Sequence, residues 1–444
     1  MSYVFAFEEG SKEQKFLLGG KGANLAEMTN LGLPVPPGFT ITTDACKAYM
    51  AADDTIPAGL MGEVATALTA LEAKMGKQLG DAADPLLVSV RSGAAFSMPG
   101  MMDTVLNLGL NDVSVGGLAK QTDNARFAYD SYRRFVQMFG KIVLDIDGEK
   151  FEHALAALRE ERGVETDPEL SADDLEGLVE RFKAIVFAET GAEFPQDPTD
   201  QLRLAIEAVF RSWNGERARI YRRMEKIADD LGTAVNVQTM VFGNKGDDSG
   251  TGVAFTRDPA TGENRPYGDF LKNAQGEDVV AGIRVTEHLD AMGNEFPEPA
   301  AELDQMMQTL QNHYRDMCDI EFTIEQGRLF LLQTRVGKRT AAAALRMAVE
   351  MEEEGLIDRR EAILRVQPEQ LDQLLHPQFD PKAKYTAVTK GLNASPGAAV
   401  GRVYFTADAA EAHRQAGEDV ILVRPETSPD DLHGMIAAEG ILTS

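Results

Sequence analysis

Two short segments near residue 325 constrain this chain most. Asp319-Ile-Glu-Phe-Thr-Ile324 alternates polar and apolar residues, and Leu329-Phe-Leu-Leu-Gln-Thr-Arg335 reads as its partner strand. Between them Glu325-Gln326-Gly327 predicts a three-residue hairpin loop, with Gly327 in the left-handed conformation. Alternation sends Asp319, Glu321 and Thr323 to one face and Ile320, Phe322 and Ile324 to the other. The loop length sets Asp319 opposite Gln333 and Glu321 opposite Leu331. Gln333 and Arg335 then join the carboxylates, while Phe330 and Leu332 join the apolar face.

Such a hairpin has a core on its back and two acids, an amide and a guanidinium on its front. Carboxylate and amide oxygens suit Mg²⁺, which completes its shell with water and nucleotide phosphates. An adjacent arginine suits a transferring phosphate. The same spacing also describes a solvated face with an ordinary ion pair.

The chain has 444 residues, enough for two to four domains. It is 43% hydrophobic and 26% charged, the balance of a soluble globular protein, and carries no apolar run near the length of a membrane span. The start of the chain has neither a signal-peptide nor a transit-peptide composition, so a cytoplasmic location is expected. Two cysteines, Cys46 and Cys318, are too few for a disulfide scaffold or a zinc site. A formal charge of −27 disfavours nucleic acid and anionic membranes as partners. It also means that any nucleotide site must gather cations against a repulsive field, which singles out Lys21, Arg91 and Arg335.

Along the chain, Gly19-Gly-Lys-Gly-Ala-Asn-Leu25 reads as a loop opening a helix, with Asn24 near its start. Residues 33–43 read as an extended turn into a strand, with Thr43 and Asp44 capping a second helix, and 86–91 as a buried strand. Residues 112–196 are expected to be mainly helical, with Phe127, Tyr132, Phe135, Val136 and Phe139 forming a core stripe. Helix continues over 201–227, where Arg211, Arg217, Arg219, Arg222 and Arg223 read as a solvated face. A strand over 233–242 leads into the glycine-rich loop 243–252, a weak phosphate-loop signal. Helices follow at 340–355, 358–365 and 368–375, then a linker at 376–390. A strand-rich unit of roughly fifty residues, 391–444, ends within an apparent strand and lies near the lower limit for independent folding.

With these segments placed, the chain resembles the N-terminal part of the pyruvate, phosphate dikinases over almost its whole length. The resemblance is carried by Gly19-Gly-Lys-Gly-Ala-Asn-Leu25, by Gly32-Leu-Pro-Val-Pro-Pro-Gly-Phe39, by the run Ser89-Val-Arg-Ser-Gly-Ala-Ala-Phe-Ser-Met-Pro-Gly-Met-Met-Asp-Thr-Val-Leu-Asn-Leu-Gly109, by Asn273-Ala-Gln-Gly-Glu-Asp-Val-Val-Ala-Gly282, by the hairpin, and by Gly391-Leu-Asn-Ala-Ser-Pro-Gly397. Phosphoenolpyruvate synthases share Ser-Val-Arg-Ser but diverge after it.

The resemblance implies an α/β (α+β) chain: an ATP-grasp nucleotide-binding domain over 1–340 with a helical insertion at 112–196, a helical linker over 341–390, and the truncated start of a swivelling phosphohistidine domain over 391–444. It implies conversion of ATP, phosphate and pyruvate to AMP, pyrophosphate and phosphoenolpyruvate by a homodimeric full-length enzyme, with Mg²⁺ as cofactor. Pyruvate would be handled only by a C-terminal barrel outside this chain. By the same resemblance Glu321 and Gln333 are metal and phosphate-side ligands with Asp319 beside them, Arg335 handles the terminal phosphates, and Lys21 and Arg91 bind phosphate. Ser97-Met-Pro-Gly100-Met101-Met102 is expected to wall off the terminal phosphate, although a core-packing Met cluster fits the same residues. Gln238, Met240 and Glu277 are weaker nucleotide-site candidates, and Arg133 a candidate for inorganic phosphate.

The family's phosphorylated histidine lies in a Gly-Gly-Met-Thr-Ser-His context. None of the six histidines, His153, His288, His313, His376, His413 and His433, has that context. The chain is therefore expected to be the ATP-binding half of such an enzyme. The alternatives are a phosphoenolpyruvate synthase-like dikinase and a non-catalytic nucleotide-binding module.

Overall fold

The computed structural model describes residues 2–98, 100–280, 286–368 and 397–444, with isolated positions between the last two segments. It is a mixed α/β structure with three main sheets. Chain order is β1 (Val4–Ala6), β2 (Gly38–Ile41), β3 (Gln78–Leu79), β4 (Pro85–Leu86), β5 (Val88–Gly93), β6 (Thr104–Leu108), β7 (Ala234–Thr239), β8 (Gly250–Phe255), β9 (Tyr267–Lys272), β10 (Glu287–His288), β11 (Cys318–Glu325), β12 (Arg328–Val336), β13 (Arg402–Tyr404), β14 (Val420–Arg424) and β15 (Gly440–Thr443). The first sheet runs β1-β2-β7-β5-β6 and the second β10-β9-β8-β11-β12, both antiparallel. The third, β13-β14-β15, is parallel.

Each five-stranded sheet has its own core. The first is covered by the helices Ser114–Thr122, Ala125–Ile142, Glu149–Arg162, Ala172–Thr190 and Pro198–Ser212. Local signals delimit these helices: Ser171 accepts from Asp174 N–H to start one, and Gly191 at φ 71° ends it. The expected stripe Phe127, Tyr132, Phe135, Val136 and Phe139 is buried in this core. The second core gathers Ile320, Phe322, Ile324, Leu329 and Leu331 with Leu303, Met307 and Leu310 of the helix Pro297–Tyr314.

The helix Lys15–Asn30 joins the two sheets. Leu25 and Met28 enter the second core, while its glycines lie on the first sheet. A Cβ at Gly19 would lie 1.7 Å from the Gly93 carbonyl oxygen, and one at Gly22 2.7 Å from Asn236 Oδ1. No other residue permits that approach, and Gly19 itself adopts φ 68°. The break at Gly19 makes the residues after it a helical segment of their own, and Asn24, five residues past the break, donates from Nδ2 to the Thr334 carbonyl of β12 at 2.9 Å.

Other expectations shift slightly. Thr42 rather than Thr43 or Asp44 caps the second helix. The helix expected over 201–227 breaks between Pro198–Ser212 and Glu216–Met224. Arg222 there is buried rather than solvated, stacked 4.1 Å from the Trp213 ring and paired with Asp229 at 2.7 Å. The helix at 368–375 and the linker at 376–390 fall largely outside the described residues. No helix among the described residues is long and apolar enough to cross a membrane.

Candidate functional site

The hairpin of β11 and β12 is tighter and less regular than its sequence suggests. Glu325 pairs with Arg328, so the loop is only Gln326-Gly327, both with positive φ. Ile324, Thr323 and Phe322 then pair with Leu329, Phe330 and Leu331. Continued regularly, this register would set Glu321 against Leu332. A bulge intervenes between Glu321 and Phe322, leaving Leu332 as the extra residue of β12. Beyond it Glu321 pairs with Gln333, and Asp319 with Arg335. The four polar groups do share a face, but through the bulge rather than a three-residue loop. The apolar face is correspondingly Leu329 and Leu331, both in the core, not Phe330 and Leu332.

Arg91 on β5 reaches across from the first sheet. Its Nη2 lies 2.9 Å from Glu321 Oε2, and its Nη1 donates to the Leu332 carbonyl at 3.4 Å. Gln333 Nε2 donates to Glu321 Oε1 at 3.0 Å, and Arg335 Nε to Asp319 Oδ2 at 2.6 Å. Arg335 Nη1 also donates to Ser97 Oγ at 3.3 Å, drawing in the loop between β5 and β6. Lys21 projects from the helix just after the Gly19 break. It makes no hydrogen bond among the described residues.

Three cations thus face two carboxylates. Burial first, then the charge of Arg91, lowers the Lys21 ammonium to about 7; Glu321 opposes this and Arg335 adds to it. Burial alone would raise Glu321, but Arg91, Lys21 and Arg335 outweigh it and hold the carboxyl below its ordinary range. Asp319 goes the other way: burial raises it, and its bond to Arg335 offsets only part of that. The arrangement has an ionised carboxylate, an amide and three basic groups close together. It suits a polyanion carrying a divalent cation.

The other candidates divide. Met240 lines a cleft of ≈ 220 Å³ that runs between the ends of the two sheets, together with Leu87, Thr239, Phe242, Lys245 and Glu325. Gln238 is buried and donates to the Pro36 carbonyl at 3.2 Å. Glu277 lies in the helix Gly276–Val280, but its side chain is outside what is described. In the loop after β5, Met101 and Met98 pack into the core, Met102 packs against it, and Gly100 is exposed at φ 70°. Arg133 does not join the cluster. Its side chain is 5% exposed and held by Asp130 at 2.8 Å and Asp167 at 2.9 Å.

Sequence reasoning missed Glu325 and Lys245. Glu325 sits at the end of β11, in phase with Asp319, Glu321 and Thr323, and so was legible as a face residue had it not been assigned to the turn. Its Oε2 accepts from the Phe242 N–H at 2.9 Å and its Oε1 from Lys245 Nζ at 2.8 Å. The glycine-rich loop therefore fastens onto the hairpin turn.

The AMP/ATP-binding domain of pyruvate phosphate dikinase matches residues 15–60, 53–295 and 294–356. Pyruvate, phosphate dikinase of Clostridium symbiosum is 56% identical over 444 residues, covering 99% of this chain and 51% of that protein. The chloroplastic pyruvate, phosphate dikinase 1 of Arabidopsis thaliana is 57% identical over 447 residues, 99% of this chain and 46% of the relative. That of rice, Oryza sativa subsp. japonica, is 57% identical over 438 residues, 98% and 46%. The chain spans about half the length of each of these relatives. Likeness at this level over nearly the whole chain means that the chain belongs to the pyruvate, phosphate dikinase family.

Proposed function

We propose that this chain is the ATP-handling half of a pyruvate, phosphate dikinase, an ATP-grasp unit over 1–340 with the helices of 112–196 inserted in it, followed by a helical linker and the start of a swivelling carrier domain. ATP lies between the two five-stranded sheets, base in the cleft by Met240 and polyphosphate against Lys21, Arg91 and Arg335. Glu321 and Gln333 would hold Mg²⁺: one ionised carboxylate and one amide oxygen are the small protein share that Mg²⁺ takes when phosphates and water complete its shell. Bound there, the ion would neutralise phosphate charge. The carrier imidazole attacks the β-phosphorus in line, the bond to the α-phosphate oxygen breaks, and AMP leaves. Arg335 and Arg91 meet the negative charge that grows on the transferring group. Transfer on to inorganic phosphate and pyruvate, the homodimer and a cytoplasmic location belong to the same proposal, on the family resemblance.

The observation that carries this reading is the group of three cations facing Glu321 and Asp319 across the sheets. Its test is titration calorimetry of ATP with and without Mg²⁺ on the 444-residue chain. Mg²⁺ is expected to strengthen binding to the unaltered chain, and Glu321→Ala to abolish most of that gain, about 2 kcal/mol. An equal Mg²⁺ gain in Glu321→Ala would move the metal elsewhere; no ATP binding by the unaltered chain would sink the proposal.

A further inference from the structure

Glu325 and Glu321 stand on the same face of β11, four residues apart, a distance of about 13 Å along an extended strand. That separation is comparable with an extended nucleoside triphosphate. One end of the face meets Arg91 and the phosphate-side cluster. The other meets the cleft lined by Met240, Phe242 and Thr239. Thr239 is 7% exposed, and its hydroxyl has no hydrogen-bond partner among the described residues. A polar ligand group in the cleft would supply one.

The Glu325 carboxylate is shared between two segments of the cleft wall. It accepts from the Phe242 backbone and from Lys245 Nζ, and both charged side chains are mostly buried, at 19% and 12% exposure. The loop is tied to the turn twice more, by Gly327 N–H to the Asp248 carbonyl at 2.8 Å and Gln326 N–H to Ser249 Oγ at 3.0 Å. Neither Glu325 oxygen needs a ligand to be satisfied, so its part is to hold the wall.

We propose that Glu325, through Lys245 and the Phe242 backbone, is a positioning residue for the nucleotide base: it fixes the wall of the base cleft to the same strand that carries the phosphate-side ligand Glu321. The inference rests on the nucleotide reading above. It makes β11 a ruler, with the base registered at one end and the polyphosphate at the other.

The test compares ATP with inorganic tripolyphosphate, which has the phosphates and no base, by calorimetry with Mg²⁺ on the 444-residue chain. Glu325→Ala is expected to weaken ATP by about 10- to 100-fold and to leave tripolyphosphate unchanged. Lys245→Met, which keeps the carboxylate bond to Phe242, is expected to weaken ATP by a smaller factor, again with tripolyphosphate unchanged. Should Glu325→Ala not fold, Glu325→Gln is read in its place and is expected to lie between the two. Unchanged ATP affinity in these variants, or equal losses for both ligands, would overturn the inference while leaving ATP binding by the unaltered chain intact. An unaltered chain that binds neither ligand would overturn the nucleotide reading itself, and this inference with it.

Discussion

Two groups of basic residues in this molecule are equally easy to see in the sequence and opposite in physical character. On the helix Ala125–Ile142, Arg133 is held by Asp130 and Asp167 and Arg134 by Asp130 and Asp278, with Arg159 also on Asp167. Between the sheets, Lys21, Arg91 and Arg335 face two carboxylates among the described residues, Glu321 and Asp319. The first group is a neutralised tie between helices. The second carries excess positive charge only when Lys21 is protonated, a state that burial and Arg91 oppose and a bound anion would favour. In a chain of net charge −27, this gathering of three basic groups is the feature on which the proposed nucleotide site rests.

The sharpest break in this comparison is Arg335→Ala. Placed in an enzyme of the relatives' full length, it is expected to slow pyrophosphoryl transfer about a thousandfold, roughly 4 kcal/mol of transition-state stabilisation, while ATP affinity changes little. Rapid-quench measurement of AMP formation at saturating ATP is the check. Near-normal turnover with a greatly raised ATP requirement would make Arg335 a ground-state ligand only.

Arg133→Met tests the other side. Removing one partner of a buried pair leaves Asp130 and Asp167 short of charge, so an unfolding free-energy loss of about 3 kcal/mol is expected, with ATP affinity unaltered. Urea unfolding and calorimetry together read this. A variant of normal stability that no longer responds to inorganic phosphate would instead make Arg133 a ligand.

The smallest effect is a proton. Lys21 near 7 is mostly neutral in the free protein at about pH 8, and polyphosphate beside it favours the charged form, so binding takes up close to one proton there and almost none at about pH 6. Affinity accordingly falls as pH rises through 7, by at most about tenfold per unit. Calorimetry in buffers of different ionisation enthalpy measures the uptake. Equal uptake in Lys21→Met would assign the proton to another group.

Alternation is a property of neighbouring residues, and it was enough to place Asp319, Glu321 and Thr323 on one side of β11 and Ile320, Phe322 and Ile324 on the other. The same holds for the aromatic stripe of the helix Ala125–Ile142. Register is not local. A two-residue turn alone would have set Leu332 against Glu321. The bulge that replaces it by Gln333 leaves a carbonyl that Arg91 binds, from a strand 241 residues away in the chain. Nor do the residues beside Arg133 and Arg91 in the sequence say which carboxylates each will meet; the fold brings Asp167 to Arg133 and Glu321 to Arg91. The residues alone determined which side chains are available for the chemistry and on which face of their own strand they stand. Only the packing of the two sheets against the helix Lys15–Asn30 decided which of them meet and how far their charges are shielded from water.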